Sequence, residues 1–341
     1  MNEYWRAGIV RTMSRRAFVA STTAFAASLG STPPLSSLLA QTNPSRPIRL
    51  LVPLAPGGAT DPYARLIADH MARTLGRVII VEHKPGGAGS VGTQYVAREP
   101  ADGNLILLTT QAITEISPST FSDGKWSLGD FIPLIRGVQA PLVLVANPSV
   151  PARTLDELVA WIRKNPGKLT YSSYSAGTPS HFLGFQLNER FGLDLVHVPA
   201  KGSGYQVTDL IAGHVQFGFA QVQSSLPMIR EGKLNALAVT SGARSRFLPE
   251  VPSFAELGHG EFTTNVWYGL MIRAGTPADV LANLLNAAKA AHADADVKAR
   301  FEGLGYDISG ETGPGFAADI KTQAERWARL VKASGFKADG G

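Results

Sequence analysis

The stretch "LVPLAPGGATDPYARLIADHM", residues 51–71, carries the reading of the fold. A short apolar run gives way to Pro56-Gly57-Gly58, then to Asp61-Pro62 and to apolar residues at helical spacing, Tyr63, Leu66, Ile67 and Met71. Glycines let main-chain N–H groups converge, and a helix start adds unpaired N–H groups and the positive end of its dipole. Strand, glycine-rich loop and helix in that order therefore form an anion cradle. Its donors are the amides of Gly57, Gly58 and Ala59 with the Thr60 hydroxyl, while Asp61 reads equally as a helix cap with Pro62 at the first helical position. The loop holds no Lys or Arg and Asp61 adds negative charge, so a singly charged carboxylate suits it better than a dianionic phosphate.

The same alternation continues along the chain. "VIIVEHK" (78–84) and "NLILLTT" (104–110) are further strands of a first β-α-β set. Gly87 to Gly92 matches G-x-G-x-x-G, but Pro85 separates the strand from the glycines. The run some 20 residues on, where a ribose-binding acid belongs, is uncharged; the motif reads as a tight strand-to-helix turn. A second set starts after the run 141–151, with Thr154 and Glu157 spaced as a capping box. Within it, "YSSYSAGTPSHFLG" (171–184) repeats the cradle logic: Ser175, Gly177, Thr178 and Ser180 supply hydroxyls and amides at a helix start. His181 stands beside them, as a ligand contact or as a capping and packing residue.

The runs 141–151 and 265–275 bracket the second set, and each ends in a Pro-containing loop. They read as two chain crossings between domains. The expected fold is α/β with two domains, each a mixed, mostly parallel sheet: residues 41–145 plus 265–341, and residues 146–264. The C-terminal helices, with an apolar face at Phe316, Ile320, Trp327, Leu330 and Val331, return to the first domain. Two open sheets joined this way place the carboxyl ends of their strands, and both glycine-containing loops, around one cleft.

Residues 1–40 read as an export signal of the twin-arginine type, with Arg15-Arg16 before the uncharged run "AFVASTTAFAASLG" and cleavage near Ala40. That segment holds four Arg and one Glu, so the net charge of +5 falls to +2 without it. A basic surface for nucleic acid is not indicated. The 341 residues contain no Cys, which excludes a disulfide framework, a thiol nucleophile and a lipidated cysteine anchor.

No G-x-S-x-G and no H-E-x-x-H occurs, and the seven His never take metal-ligand spacing. An exported α/β enzyme acting on a carboxylate has Asp61 and His181 as its sequence candidates. The residues otherwise point to holding a solute, without a metal or cofactor.

Several segments, "PSRPIRLLVPLAPGGATDPYARLIA", "VIIVEHKPGGAGSVGTQYVAREPADGNLILLTT", "NPGKLTYSSYSAGTPSHFLG" and "VWYGLMIRAGTP" among them, resemble in sequence and order the periplasmic solute receptors of tripartite tricarboxylate transporters, the Bug family. The resemblance implies a two-domain flytrap that closes on a small carboxylate and delivers it to membrane permease subunits or, alternatively, presents it to a membrane sensor. It implies a monomer, and it implies ligand contacts from the loops at Gly57 to Thr60 and Ser175 to Ser180, from Thr110 and Gln111, and from Ala220 and Gln221 at the end of "VQFGFAQ". This chain departs from the family pattern at Ala220, where many relatives carry Asp, and at Ala200, where Tyr is common. The departure implies a roomier, less polar pocket for an aromatic or longer carboxylate.

Overall fold

The computed structural model describes residues 46–121 and 126–338, so the expected export signal and the expected cleavage near Ala40 lie outside the described residues. Strands β1 (Ile48–Val52), β2 (Ile79–His83) and β3 (Leu105–Thr110) alternate with helices α1 (Thr60–Leu75) and α2 (Ser90–Arg98). β2 and β3 lie parallel to β1 on its two sides. A π-helical turn, Ala112–Ile116, and the short α3 (Ser117–Thr120) lead to the long β4 (Phe131–Ala146). Then follow α4 (Leu155–Arg163), β5 (Leu169–Ser173), α5 (Pro179–Phe191), β6 (Leu195–Pro199), α6 (Ser203–Ala212), β7 (Phe217–Gln221), α7 (Val222–Arg230) and β8 (Asn235–Val239). The chain closes with β9 (Asn265–Arg273), α8 (Ala278–Ala293), α9 (Ala295–Gly303), β10 (Asp307–Glu311) and α10 (Gly313–Ser334).

The strand order is β2-β1-β3-β9-β4-β7-β5-β6, with β10 and β8 also paired to β4. Two parallel blocks thus flank a centre where β4 and β9 run antiparallel to their neighbours. β4 belongs to both halves. Residues 131–141 pair with β9, and residues 142–146 pair with β7 and β8. Pro141 falls at the change of partner, where a residue without an N–H costs the ladder least. β4 is also irregular near Pro133 and Gly137 against β9, and between Leu144 and Val145 against β8. Gly137 is required by close approach, since a Cβ there would stand 2.1 Å from the Tyr63 hydroxyl oxygen.

One hydroxyl ties the two crossings together. Thr240, fully buried after β8, accepts from the Leu142 N–H (2.9 Å) and donates to the Thr264 carbonyl (2.8 Å), while its own N–H donates to the Leu142 carbonyl. Both crossings leave and enter the second half against this residue.

The local signals hold where they are short-range. Thr154 caps α4 by accepting from Glu157 N–H at 3.2 Å, although the Glu157 carboxylate reaches Arg153 N–H and not that of the cap residue. Gly92 of the G-x-G-x-x-G stretch packs so closely that a Cβ would meet the Lys84 carbonyl oxygen at 2.7 Å, so that glycine serves packing. α10 buries Phe316, Ile320, Trp327 and Val331. It reaches β9 through Phe316 on Trp267 (5.3 Å between rings) and α5 through Trp327 beside Phe182 (6.4 Å), so it touches elements of both halves.

Thr240→Val keeps shape and removes the tie. It leaves the buried Leu142 N–H without its acceptor, and the expected cost is about 1–3 kcal/mol, read as a lowered urea midpoint at unchanged slope.

Candidate functional site

The first loop is built as its composition demands. Gly57 has φ +77°, the left-handed region that glycine enters freely, and its N–H donates to the Asp61 carboxylate at 2.8 Å. Ala59, with helical φ and ψ, occupies the cap position and Thr60 begins α1. Asp61 is therefore not the N-cap. It is the second helical residue, and its carboxylate reaches back over the loop. His83 Nε2 lies 2.9 Å from it, out of line for a hydrogen bond, and Arg65 3.8 Å from it. His83 is held in turn by donating from Nδ1 to the Leu54 carbonyl. Reading the loop residues alone missed His83, which arrives from the end of β2. Among the described residues, the N–H groups of Gly58, Ala59 and Thr60 donate to no protein acceptor. Gly57 and Gly58 are exposed and Thr60 is buried.

The second loop is more tightly tied. Thr178 Oγ1 donates to the Ser175 carbonyl (2.6 Å), Ser173 Oγ donates to the same carbonyl, and Ser180 Oγ donates to the Phe219 carbonyl. The Ser180 and Thr178 hydroxyl protons are thereby committed inside the protein. Ala176 and Thr178 keep N–H groups without protein acceptors among the described residues. His181 is buried, and its Nδ1 accepts from Gly177 N–H at 3.2 Å. Its ring stacks on His197 at 3.8 Å and 9°, and Phe336 meets it edge-on. Burial pushes His181 down to about 4 and His197 down to about 3, so both are neutral at pH 7. His181 holds the loop in shape.

Between the loops lies a cluster of tyrosines that sequence spacing does not reveal. Gln221 Nε2 donates to the Tyr268 hydroxyl (3.0 Å), the rings of Tyr268 and Tyr306 lie 5.7 Å apart, and the Tyr306 hydroxyl donates to the Ala59 carbonyl (3.3 Å). Tyr174 borders Tyr268 on the other side and meets Thr178 and Ser180 of the second loop. A row of polar groups, joined at Tyr268 and Tyr306 by ring contact, therefore runs from the first loop, through the β9 crossing, to the ends of β7 and β5. Burial drives the hydroxyls of Tyr174, Tyr268 and Tyr306 upward, which keeps them as neutral donors and acceptors.

Thr110 ends β3, and Gln111 is buried with Nε2 donating to Thr264 Oγ1 at 3.0 Å and Oε1 unpartnered. Ala220 packs in the apolar cluster of Val143, Val207 and Leu226. Gly57 to Thr60, Gln221 and the Ser175 to Ser180 loop thus converge through the tyrosines. Thr110 and Gln111 stand behind β9 at Thr264, and Ala220 has its methyl group in a core. Behind Gln111, the fully buried Glu115 accepts from Trp267 Nε1 (2.8 Å) and Trp327 Nε1 (3.1 Å). Burial pushes its carboxyl up to about 7 against the lowering effect of Trp267, Gln111 and the nearby Arg136.

Neither Asp61 nor His181, the two candidates for chemistry, is free to act. Asp61 is held by the Gly57 N–H with Arg65 nearby, and His181 Nδ1 is taken by Gly177. Among the described residues no group of three His, Asp or Glu could hold a metal ion, and no helix is long and apolar enough to cross a membrane.

Residues 63–336 match the family described as "Tripartite tricarboxylate transporter family receptor". The protein BugT of Bordetella pertussis is 33% identical over 318 residues, 92% of this chain and 96% of that protein. The structure of the periplasmic binding protein BugD shares 33% identity with a TM-score of 0.76, over 86% of this chain and 99% of BugD. MatC from Rhodopseudomonas palustris with bound malate aligns at 28% identity and a TM-score of 0.75, over 84% of this chain and 99% of MatC.

The buried ionisable groups predict opposed pH effects on stability. Glu115 sits above its ordinary value of 4.5 when folded, so the folded state binds more protons than the unfolded one between about 4.5 and about 7. Its contribution is present below that window and is lost as pH rises through it. His181, His197 and His292, pushed by burial below their ordinary 6.5, contribute above that value and lose it as pH falls towards 4. Glu115→Gln shares the histidines and lacks the carboxyl. Thermal melts from pH 4.5 to 7 should show the variant gaining on the wild type as pH rises, and a constant difference would contradict the assignment.

Proposed function

The chain belongs to the tripartite tricarboxylate transporter receptor family, and on that footing we propose that it captures a small carboxylate between its two halves and delivers it to a permease of that transporter type. It is a periplasmic solute-binding receptor of two-domain fold and not an enzyme. The observation that carries the reading is the set of unpaired N–H groups at Gly58, Ala59 and Thr60, at the start of a 16-residue helix and beside a carboxylate already held by the Gly57 N–H. A carboxylate there gains charge-assisted hydrogen bonds and the helix dipole. That malate is bound by a relative of the same fold supports the choice of anion.

Residues 41–145 with 265–341 form one lobe in this reading and residues 146–264 the other. Closure rotates them about β4 near Pro141 and the Thr240 tie, with the polar row from Ala59 to Gln221 made in the closed form. The loops at Gly57 to Asp61 and Ser175 to His181 are the two jaws, with Gln221 between them and Thr110 and Gln111 behind the crossing. The closed form is the one the permease recognises.

Gly58 gives the cleanest test. Its φ is not left-handed, and a Cβ would meet only the Ala55 carbonyl oxygen at an ordinary 3.6 Å, so the fold tolerates a side chain there. Gly58→Val places a branched side chain over the free amides. In a thermal-shift screen of carboxylates the wild type should gain about 2.7 kcal/mol at a hundred times the dissociation constant. The variant, as stable as the wild type without ligand to within about 0.5 kcal/mol, should bind about tenfold more weakly or worse. Equal affinity in the two proteins would remove the cradle from the site.

A further inference from the structure

A cavity of about 540 Å³ opens beside the first loop. Its wall runs from Ala59 and Pro62 at the start of α1, across Leu226 and Pro227 of α7, to Leu304 and Tyr306. Ala59 and Tyr306 are the same two residues that begin the polar row, so the cavity adjoins the proposed carboxylate cradle. Leu304, 42% exposed, is one of few large apolar side chains that the described residues leave open to solvent, and it lies on this wall. The two charged residues on the wall, Arg230 and Glu231, are adjacent and opposite in sign.

Resting on the receptor reading, we propose that this cavity takes the body of the ligand and that the ligand is a monocarboxylate with a bulky apolar body, of the size of a fused aromatic ring pair. A cavity of this volume is in the range that holds ligands well beyond four carbons, which runs from roughly 300 to 1,000 Å³. A four-carbon diacid would leave much of it to water facing proline, leucine and tyrosine, with few polar partners. The rim charges, Arg230 and the Glu231–Lys233 pair (2.7 Å), are all exposed to solvent, which screens them from a second carboxylate. Ala220 supplies no acid and packs in the core beside Leu226, which itself reaches the cavity wall. The single carboxylate is held at the amides of Gly58 to Thr60 and the apolar body lies against Pro62, Leu226 and Leu304.

Calorimetric titration of the protein with 2-naphthoate and with succinate tests this. The expected result is 2-naphthoate bound at least about tenfold tighter, the yield of burying one further apolar ring face. Leu304→Trp, which fills the cavity from an exposed position, should abolish that preference. Leu304→Ser, which strips the apolar wall without adding bulk, should weaken 2-naphthoate selectively. Succinate bound as tightly as 2-naphthoate, or a preference that survives both substitutions, overturns the proposal and leaves the receptor reading standing. Failure of both acids to bind, with the protein folded, overturns both.

Discussion

The main chain has to pass twice between two sheets without leaving buried N–H and C=O groups unpaired, and β4 meets that constraint by changing partners in mid-strand. Its first part completes a ladder with β9 and its last five residues complete ladders with β7 and β8. Pro141 marks the change, and the Thr240 hydroxyl bonds the Leu142 N–H and the Thr264 carbonyl on either side of it. Everything proposed for the site follows from this joint. Because the parallel blocks sit on opposite sides of a shared strand pair, the loops after β1 and β5 come to the same region, and Tyr268 on β9 stands between them.

Much of this was legible along the chain because it rests on short-range physics. A strand, glycines and a helix start within 20 residues place the first loop, and Gly57 adopts the left-handed backbone its position requires. The second loop, the Thr154 cap and the apolar face of α10 are of the same kind. What was not legible depends on residues far apart in sequence. β4 begins at Phe131, ahead of the crossing read at 141–151, because Pro133, Gly137 and Pro141 are accommodated by bulges and by the change of partner. The tyrosine row joins residues 59, 221, 268 and 306, and no spacing rule connects them. His83 reaches Asp61 from a neighbouring strand. The sequence alternation also underplays the antiparallel centre, since strand direction is set by where connections return and not by local pattern.

Charge is handled in this molecule by neutralising what is buried. Glu115 between two indoles, the stacked His181 and His197, and the tyrosine hydroxyls are all pushed by burial towards their neutral forms. Asp61 stands beside His83 and Arg65 at the partly exposed rim of the first loop. The region between the halves therefore holds neutral hydrogen-bonding groups and free main-chain N–H groups. Such a surface favours a singly charged guest held by dipoles, and it leaves no side chain poised as nucleophile or base.

The most direct measurement is a crystal structure of the protein with a carboxylate that stabilises it. Capture at the jaw predicts carboxylate oxygens within hydrogen-bond distance of main-chain N–H groups of Gly58 to Thr60, with the polar row from Ala59 to Gln221 intact. A carboxylate seated instead on a side-chain cation, with those amides facing water, would contradict it.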